Sequence, residues 1–138
     1  MYLAVKGGTA VRYVLSANRA LIVPEYQRDF AWGAKEGRQL LDDLLEHLDG
    51  IDDHADVEPY FLGTIILTAL DDSRGGGVIA PSALEIVDGQ QRLITLTILL
   101  ACLRDLEDDP ERKSSIDAHI GRSDATGVAG PPILQLRE

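Results

Sequence analysis

The chain is poor in cysteine, in aromatic residues and in basic residues. Cys102 is its single cysteine, which excludes an internal disulfide and a zinc site built from cysteine pairs. Aromatic residues make up 5% of the 138 residues, and no apolar run reaches the roughly 18 residues of a membrane span. Met1–Lys6 is not followed by the long apolar stretch of a secretory signal. We therefore expect a cytoplasmic protein that makes no membrane contact.

Acidic residues outnumber basic ones by 23 to 13, so the net charge is −10. This charge argues against a broad nucleic-acid-binding face, because basic surfaces attract polyanions. The acid is concentrated between Asp42 and Glu58, which we interpret as a solvated helix face and loop. The first 40 residues, in contrast, hold six basic and three acidic residues. Because salt screens charges beyond about 8 Å, a local basic site is compatible with an acidic molecule.

The apolar fraction of 45% is sufficient for the core of one domain spanning residues 1–138. Apolar runs predict strands at Ala20–Val23, Tyr60–Leu70, Leu84–Val87 and Ile133–Arg137. Helical spacing predicts helices at Thr9–Ala17, Ala34–Leu48, Asp88 to about Asp105, and Pro110–Ile120, with a Gly/Pro loop at Ser123–Pro132. Interleaved strands and helices predict a mixed α/β fold.

The segment Asp88-Gly89-Gln90-Gln91-Arg92 lies at a predicted strand-to-helix junction. Helix capping is one interpretation, with Asp88 as the N-cap and Gln91 completing a capping box. Capping explains neither Gly89, which weakens a helix, nor Arg92, whose cation faces the positive end of the helix dipole. Both residues fit an anion site in which backbone N–H groups and Arg92 bind phosphate. The spacing alone leaves both interpretations open.

A second motif, VPEYQRDFAW at residues 23–32, follows the first predicted strand. Its alternating aromatic residues favour core packing for Phe30 and Trp32. Gln27 and Arg28 are costly to bury without partners. A loop of this composition therefore also suits recognition of a phosphate or a base through arginine contacts and stacking.

Together the two motifs resemble the GmrSD-type N-terminal domain family, which has a ParB/sulfiredoxin-like fold. The resemblance runs from about Leu15 to Leu106 and includes Phe-Leu-Gly at residues 61–63. Phe30 stands where the family usually has tyrosine, and Ile94 stands where it usually has threonine. Neither departure touches the polar residues of the motifs. The resemblance implies a ParB/sulfiredoxin-like domain with a small mixed sheet and packed helices.

The resemblance also implies a role in bacterial defence against phage. Such domains occur in modification-dependent restriction enzymes and in SspE-type effectors of phosphorothioate-based defence. There the N-terminal domain is associated with nucleotide binding and hydrolysis and with sensing modified DNA, and a separate C-terminal His-Asn-His-type nuclease domain cuts DNA. The expected partners are thus DNA with a modified backbone or base and that nuclease domain of a longer protein. This chain contains no His-Asn-His pattern, so we expect no DNA cleavage by it alone. Apolar surface left exposed would favour self-association.

Carried over to this sequence, the resemblance assigns hydrolysis of GTP, ATP or CTP to Asp88, Gln90, Gln91 and Arg92. It assigns nucleotide contacts to Gly89, Arg28, Gln27 and Tyr26, and DNA sensing to Val23, Pro24, Tyr26, Arg28 and Trp32. Asp88 would position Mg²⁺ or a water, and Gln90 or Gln91 would orient the attacking water.

No site built from protein metal ligands is expected, because His47, His54 and His119 lack histidine or cysteine partners at ligand spacing. Cys102 lies in an apolar helix and is expected in the core. Two other functions stay open: a nucleotide- or DNA-binding regulatory module without hydrolysis, and an interaction domain or toxin-like relative with no DNA role.

Overall fold

The computed structural model describes residues 14–15, 20–25, 31–49, 60–69, 83–123 and 129–136. Three helices and six strands are interleaved in this part of the chain, which confirms the predicted α/β class. Several predicted features lie outside the described residues: Tyr26, Gln27, Arg28, Phe30, His54 and most of the predicted helix Thr9–Ala17.

Four strands form a mixed sheet in the order β2-β3-β1-β6. They are β1 (Ala20–Val23), β2 (Ile66–Ala69), β3 (Ala83–Asp88) and β6 (Leu134–Leu136). β1 pairs in parallel with β3 and with β6, whereas β2 runs antiparallel to β3. A separate antiparallel pair consists of β4 (Gly121–Ser123) and β5 (Ala129–Pro132).

The core lies where the sheet packs against the helices. Leu84 and Ile86 alternate along β3, so both side chains point to the same face and are buried. Leu21 from β1 and Leu93 from the following helix join them with exposures of 0% and 1%. Ile133 is held beside β1 by the N–H of Leu21, which donates to its carbonyl at 2.7 Å.

The three helices are α1 (Ala34–Asp49), α2 (Gln90–Leu106) and α3 (Pro110–Asp117). The α3 N-terminus begins as the sequence indicates: Pro110 occupies the first turn and the Asp109 carboxylate accepts from two backbone N–H groups. Along the predicted leucine face of α1, Leu40 is buried, but Leu41 and Leu48 are 40% and 59% exposed. In the described part of the chain, no helix is both long and apolar enough to cross a membrane.

The structure corrects four local predictions. The predicted strand Tyr60–Leu70 is regular only over Ile66–Ala69, because Gly63 has a φ of 98° that interrupts extended backbone. Ala129–Pro132 forms β5 although it was expected within a loop. Cys102 is exposed rather than in the core, because it lies on the side of α2 away from the buried Leu93. The fourth correction, at Asp88, concerns the candidate site.

Candidate functional site

Three segments with sequence signatures meet at one edge of the sheet. The parallel pairing of β1 with β3 places their carboxyl ends at the same edge, so Pro24 and the Asp88–Arg92 motif both follow strands that end there. The antiparallel strand β2 begins at this edge, where Ile66 pairs with Asp88, so Phe61–Gly63 arrives there as well. In open α/β sheets, ligands bind outside the carboxyl ends of parallel strands. This edge is therefore the candidate site.

Gly89 makes the turn from β3 into α2. It is buried, with φ 92° and ψ 9°, and it serves as the N-cap residue. A Cβ at this position would lie 2.9 Å from Cγ1 of Ile65 and 3.3 Å from the carbonyl oxygen of Thr64. Only glycine combines a positive φ with so close an approach of the chain before β2.

The predicted capping box is wrong. Asp88 is the last residue of β3, and its Oδ1 accepts the N–H of Gly89 at 2.8 Å. No side-chain hydrogen bond caps the first turn of α2. The physical reason is the positive φ of Gly89, which moves the N-cap one residue beyond the position that Asp88 would need. The interpretation of Asp88 as the N-cap of α2 is therefore wrong.

Gln91 links α2 to the segment that precedes α1. Its Oε1 accepts the N–H of Ala31 at 2.9 Å and the N–H of Trp32 at 3.1 Å. The residues joined are about 60 positions apart in the sequence. Gln91 of the Asp88–Arg92 motif thus holds the end of the motif at residues 23–32, and Trp32 packs against the core.

Arg92 lies across the backbone of Gly63. A Cβ on Gly63 would be 2.6 Å from Cζ of Arg92, so glycine is what lets the guanidinium lie flat there. Nη1 of Arg92 donates to the carbonyl oxygen of Thr64 at 3.3 Å. Among the described residues, no carboxylate lies within ion-pair distance of Arg92. Most of its five N–H donors therefore remain available to a ligand.

A groove of about 470 Å³ opens beside Arg92, between α1 and the segment Tyr60–Gly63. Its lining combines aromatic, charged and amide side chains: Trp32, Lys35, Glu36, Gln39, Leu40, Asp43, Tyr60, Phe61, Leu62, Gly63 and Arg92. Phe61 is 80% exposed, an unusual position for a large apolar ring. The groove is thus an open, partly aromatic cleft lined by an arginine that forms no ion pair with any residue the structure describes.

Hydrogen bonds fix the α1 wall of the groove. Asp43 accepts from Gln39 Nε2 at 2.7 Å and from the Tyr60 hydroxyl at 3.3 Å. Loss of hydration and the neighbouring Asp43 carboxylate both raise the pKa of Tyr60. The Tyr60 ring also contacts His47, with centroids 5.6 Å apart. Tyr60 is thus held in place at its hydroxyl and at its ring.

The predicted site residues differ in how accessible they are. Gln90 is buried at 8% exposure, and the side-chain oxygen of Gln91 accepts the N–H groups of Ala31 and Trp32. Val23 belongs to the core at 5% exposure, and Pro24 is buried too, so neither presents an open surface. Asp88 is exposed and Arg92 is half-buried at the groove. Tyr26, Gln27 and Arg28 lie in the part of the chain that the structure does not describe.

Sequence reasoning missed the α1 wall. Lys35, Gln39 and Asp43 lie at spacings of four, which is the signal that they share one helix face. Only Asp43 of the three lies in the acidic stretch that was interpreted as a solvated helix face and loop. His119, expected to be structural or exposed, has a structural contact, because its Nδ1 lies 2.8 Å from the carbonyl oxygen of Leu15.

One comparison with known proteins bears on this site. The family model described as the N-terminal domain of the GmrSD restriction endonuclease matches residues 11–129. The match covers more than four fifths of the chain and includes both motifs and the segment 61–63. No curated protein matches the chain.

Proposed function

The chain belongs to the family of GmrSD restriction endonuclease N-terminal domains, and from that premise we propose that it binds and hydrolyses a nucleoside triphosphate and senses modified DNA. Membership of a restriction endonuclease family supports a role in DNA restriction and defence. The nucleotide activity and the sensing of a modified, for example phosphorothioate, backbone are the finer parts of the proposal. A nuclease domain of the same protein would be the partner that cuts DNA.

The observation that carries the nucleotide proposal is the position of Arg92. A cation in the first turn of a helix is opposed by the helix dipole. Arg92 occupies that turn with one hydrogen bond to a carbonyl and no described carboxylate partner. An anion bound between the start of α2 and the guanidinium would be stabilised by both the helix dipole and the cation. The β- and γ-phosphates of a nucleotide carry that charge.

The other motif residues divide the remaining tasks. Gly89 lets the backbone approach the phosphates, and Gln91 positions the Ala31–Trp32 segment rather than a water. Asp88 uses Oδ1 for its contact to Gly89, and the residue is exposed. Mg²⁺ in nucleotide sites takes one or two carboxylates together with phosphate oxygens, a donor set that Asp88 fits. Such an ion would neutralise charge on the phosphates.

The test is the hydrolysis of GTP, ATP and CTP by Arg92→Ala and by the wild type, with and without DNA. Arg104→Ala is the matched control, because Arg104 lies on the same helix about 18 Å away and pairs with Asp105 and Asp117. We expect kcat/KM to fall roughly 100-fold or more for Arg92→Ala, the scale of a lost charge-stabilising donor. Arg92→Lys should recover only part of the lost kcat/KM, because lysine lacks the planar guanidinium that donates two parallel hydrogen bonds.

A folded Arg92→Ala variant with wild-type turnover would refute the assignment of Arg92. The DNA part is tested separately, by measuring whether phosphorothioate and plain duplexes bind with equal affinity at moderate salt. Equal binding would remove the modified backbone from the proposal, and the nucleotide part would be unaffected.

A second candidate is a nucleotide- or DNA-binding regulatory module without hydrolysis. The observation that favours it is that Gln90 is buried and Gln91 is engaged with Ala31 and Trp32. Neither glutamine is then placed like the residue that orients water in other NTPases. Tight nucleotide binding without turnover by the wild type would select this module.

A further inference from the structure

We infer that the groove between α1 and Tyr60–Gly63 is a nucleobase-binding site, with the attached phosphates reaching Arg92. The inference rests on the proposed function in one respect, because it names the ligand of the same arginine. It goes beyond that function in assigning the base to Trp32 and to side chains of α1 and of the segment before β2, and of these only Trp32 belongs to either motif.

The size and position of the groove fit a nucleoside. Its volume of about 470 Å³ lies within the roughly 300–1,000 Å³ typical of small-molecule sites. Arg92, in the first turn of α2, lines the groove. A ligand that fills the groove with its anionic end at Arg92 therefore meets a guanidinium there.

Aromatic rings supply the apolar walls. Trp32 and Phe61 both line the groove, and Phe61 is 80% exposed. A phenylalanine this exposed loses little when a flat ring covers it and gains a stacking partner. The neighbouring Gly63, at φ 98°, fixes the chain direction that carries Phe61 out beside Arg92. Stacking on such rings is tolerant of base identity, which agrees with a site that does not by itself select one nucleotide.

The charged side chains of the groove suit a ligand with an anionic end. Both carboxylates are engaged: Glu36 accepts the N–H of Gly33, and Asp43 accepts from Gln39 and Tyr60. Lys35 and Arg92, in contrast, form no ion pair with any residue that the structure describes. The Lys35 and Arg92 cations suit phosphate, while the Oε1 of Gln39 can accept from the donor groups of a base.

The test follows nucleotide binding by the emission of Trp32, the single tryptophan of the chain, and in parallel by calorimetry. The probes are GTP, ATP, CTP and inorganic tripolyphosphate. We expect the nucleotides to quench Trp32 and tripolyphosphate to bind more weakly without quenching. Phe61→Ala should weaken nucleotide binding by about 5- to 150-fold, the range of one lost stacking contact, and tripolyphosphate binding should not change.

Leu106→Ala is the matched control, because Leu106 is 81% exposed and lies at the far end of α2. Phe61→Leu keeps an apolar side chain but removes the aromatic ring. It should therefore recover little of the nucleotide binding that Phe61→Ala loses. Both Phe61 and Leu106 are exposed, so neither change threatens the core. The base could come from a free nucleotide or from DNA, and a short oligodeoxynucleotide distinguishes the two: quenching by it alone assigns the groove to a base of DNA.

The inference is overturned if neither nucleotides nor the oligonucleotide quench Trp32, or if Phe61→Ala binds nucleotide like the wild type. Such a result leaves Arg92-dependent hydrolysis intact and so does not touch the proposed function. Conversely, if nucleotide binding depends on Phe61 but no nucleotide is hydrolysed, the nucleobase site is supported and the proposed hydrolysis is refuted.

Discussion

Replacing Gln91 with alanine is the change that best tests how the two motifs are joined. The substitution removes the one side-chain oxygen that accepts the N–H groups of Ala31 and Trp32, at 2.9 and 3.1 Å. It leaves the helix itself intact, because alanine is the strongest helix former. The expected effect therefore includes the loss of the attachment between the Ala31–Trp32 segment and α2.

The magnitude follows from the two hydrogen bonds. Each contributes about 0.5–1.5 kcal/mol, and the Ala31 contact lies toward the lower end because it is exposed and water can replace it. Together they give a loss of about 1–2 kcal/mol in the free energy of unfolding. For a chain of 138 residues this corresponds to a fall of roughly 3–7 °C in Tm. Gln91→Glu keeps an acceptor at the same place and should retain most of this stability.

The assay combines thermal unfolding with Trp32 emission. Gln91→Ala should shift the emission to longer wavelength, because Trp32 is then less well held against the core. Gln135→Ala is the control, since Gln135 makes an exposed hydrogen bond to Pro132 and is not part of either motif. If Gln91→Ala, like the Gln135→Ala control, leaves both Tm and Trp32 emission at wild-type values, Gln91 does not position this segment.

Three further outcomes are expected. Gly89→Ala should cost about 1–3 kcal/mol in unfolding free energy, measured by urea denaturation, because the residue has a φ of 92° and its Cβ would lie 2.9 Å from a neighbouring side-chain carbon. Gly63→Ala should lower nucleotide turnover as Arg92→Ala does, since the new Cβ displaces the guanidinium; an unchanged kcat/KM would contradict this. The N–H of Gly33 donates to Glu36 and lowers its pKa, so the stabilisation is present above pH 4.5 and is lost as the pH falls through the lowered pKa. Acid unfolding curves of Glu36→Gln and the wild type should accordingly converge at low pH and separate above pH 4.5.

Local sequence patterns predicted the elements better than their junctions. The leucine spacing in α1 and the apolar runs of β1 and β3 identify these elements nearly to the residue. These patterns reflect burial along one element, which is a local property. The parallel pairing of β1 with β3 is not local, yet it is what brings the two motifs to one edge. Their order and resemblance to one family indicated a common site before the pairing was known.

The junction at Asp88 shows why local reasoning fails there. Aspartate followed three residues later by glutamine is a capping signature, and nothing in those four residues contradicts it. The outcome depends instead on the tight approach of Thr64 and Ile65 to Gly89, residues far away in the sequence. Gln91 then finds its partners at Ala31 and Trp32 rather than within its own turn. In this site, contacts between distant segments override the local cap.

The net negative charge of the chain is compatible with an anion-binding site, because the carboxylates in the groove already accept hydrogen bonds from the protein. A net charge of −10 sets the field at long range, where salt screens it beyond about 8 Å. Within the groove, the Glu36 and Asp43 oxygens already accept hydrogen bonds from the protein, whereas Lys35 and Arg92 have no carboxylate partner among the described residues. An anion in the groove therefore meets two cations that have no described carboxylate partner, and both carboxylates there already accept hydrogen bonds. Overall acidity then slows the approach of a polyanion such as DNA, while the local arrangement governs what binds once it arrives.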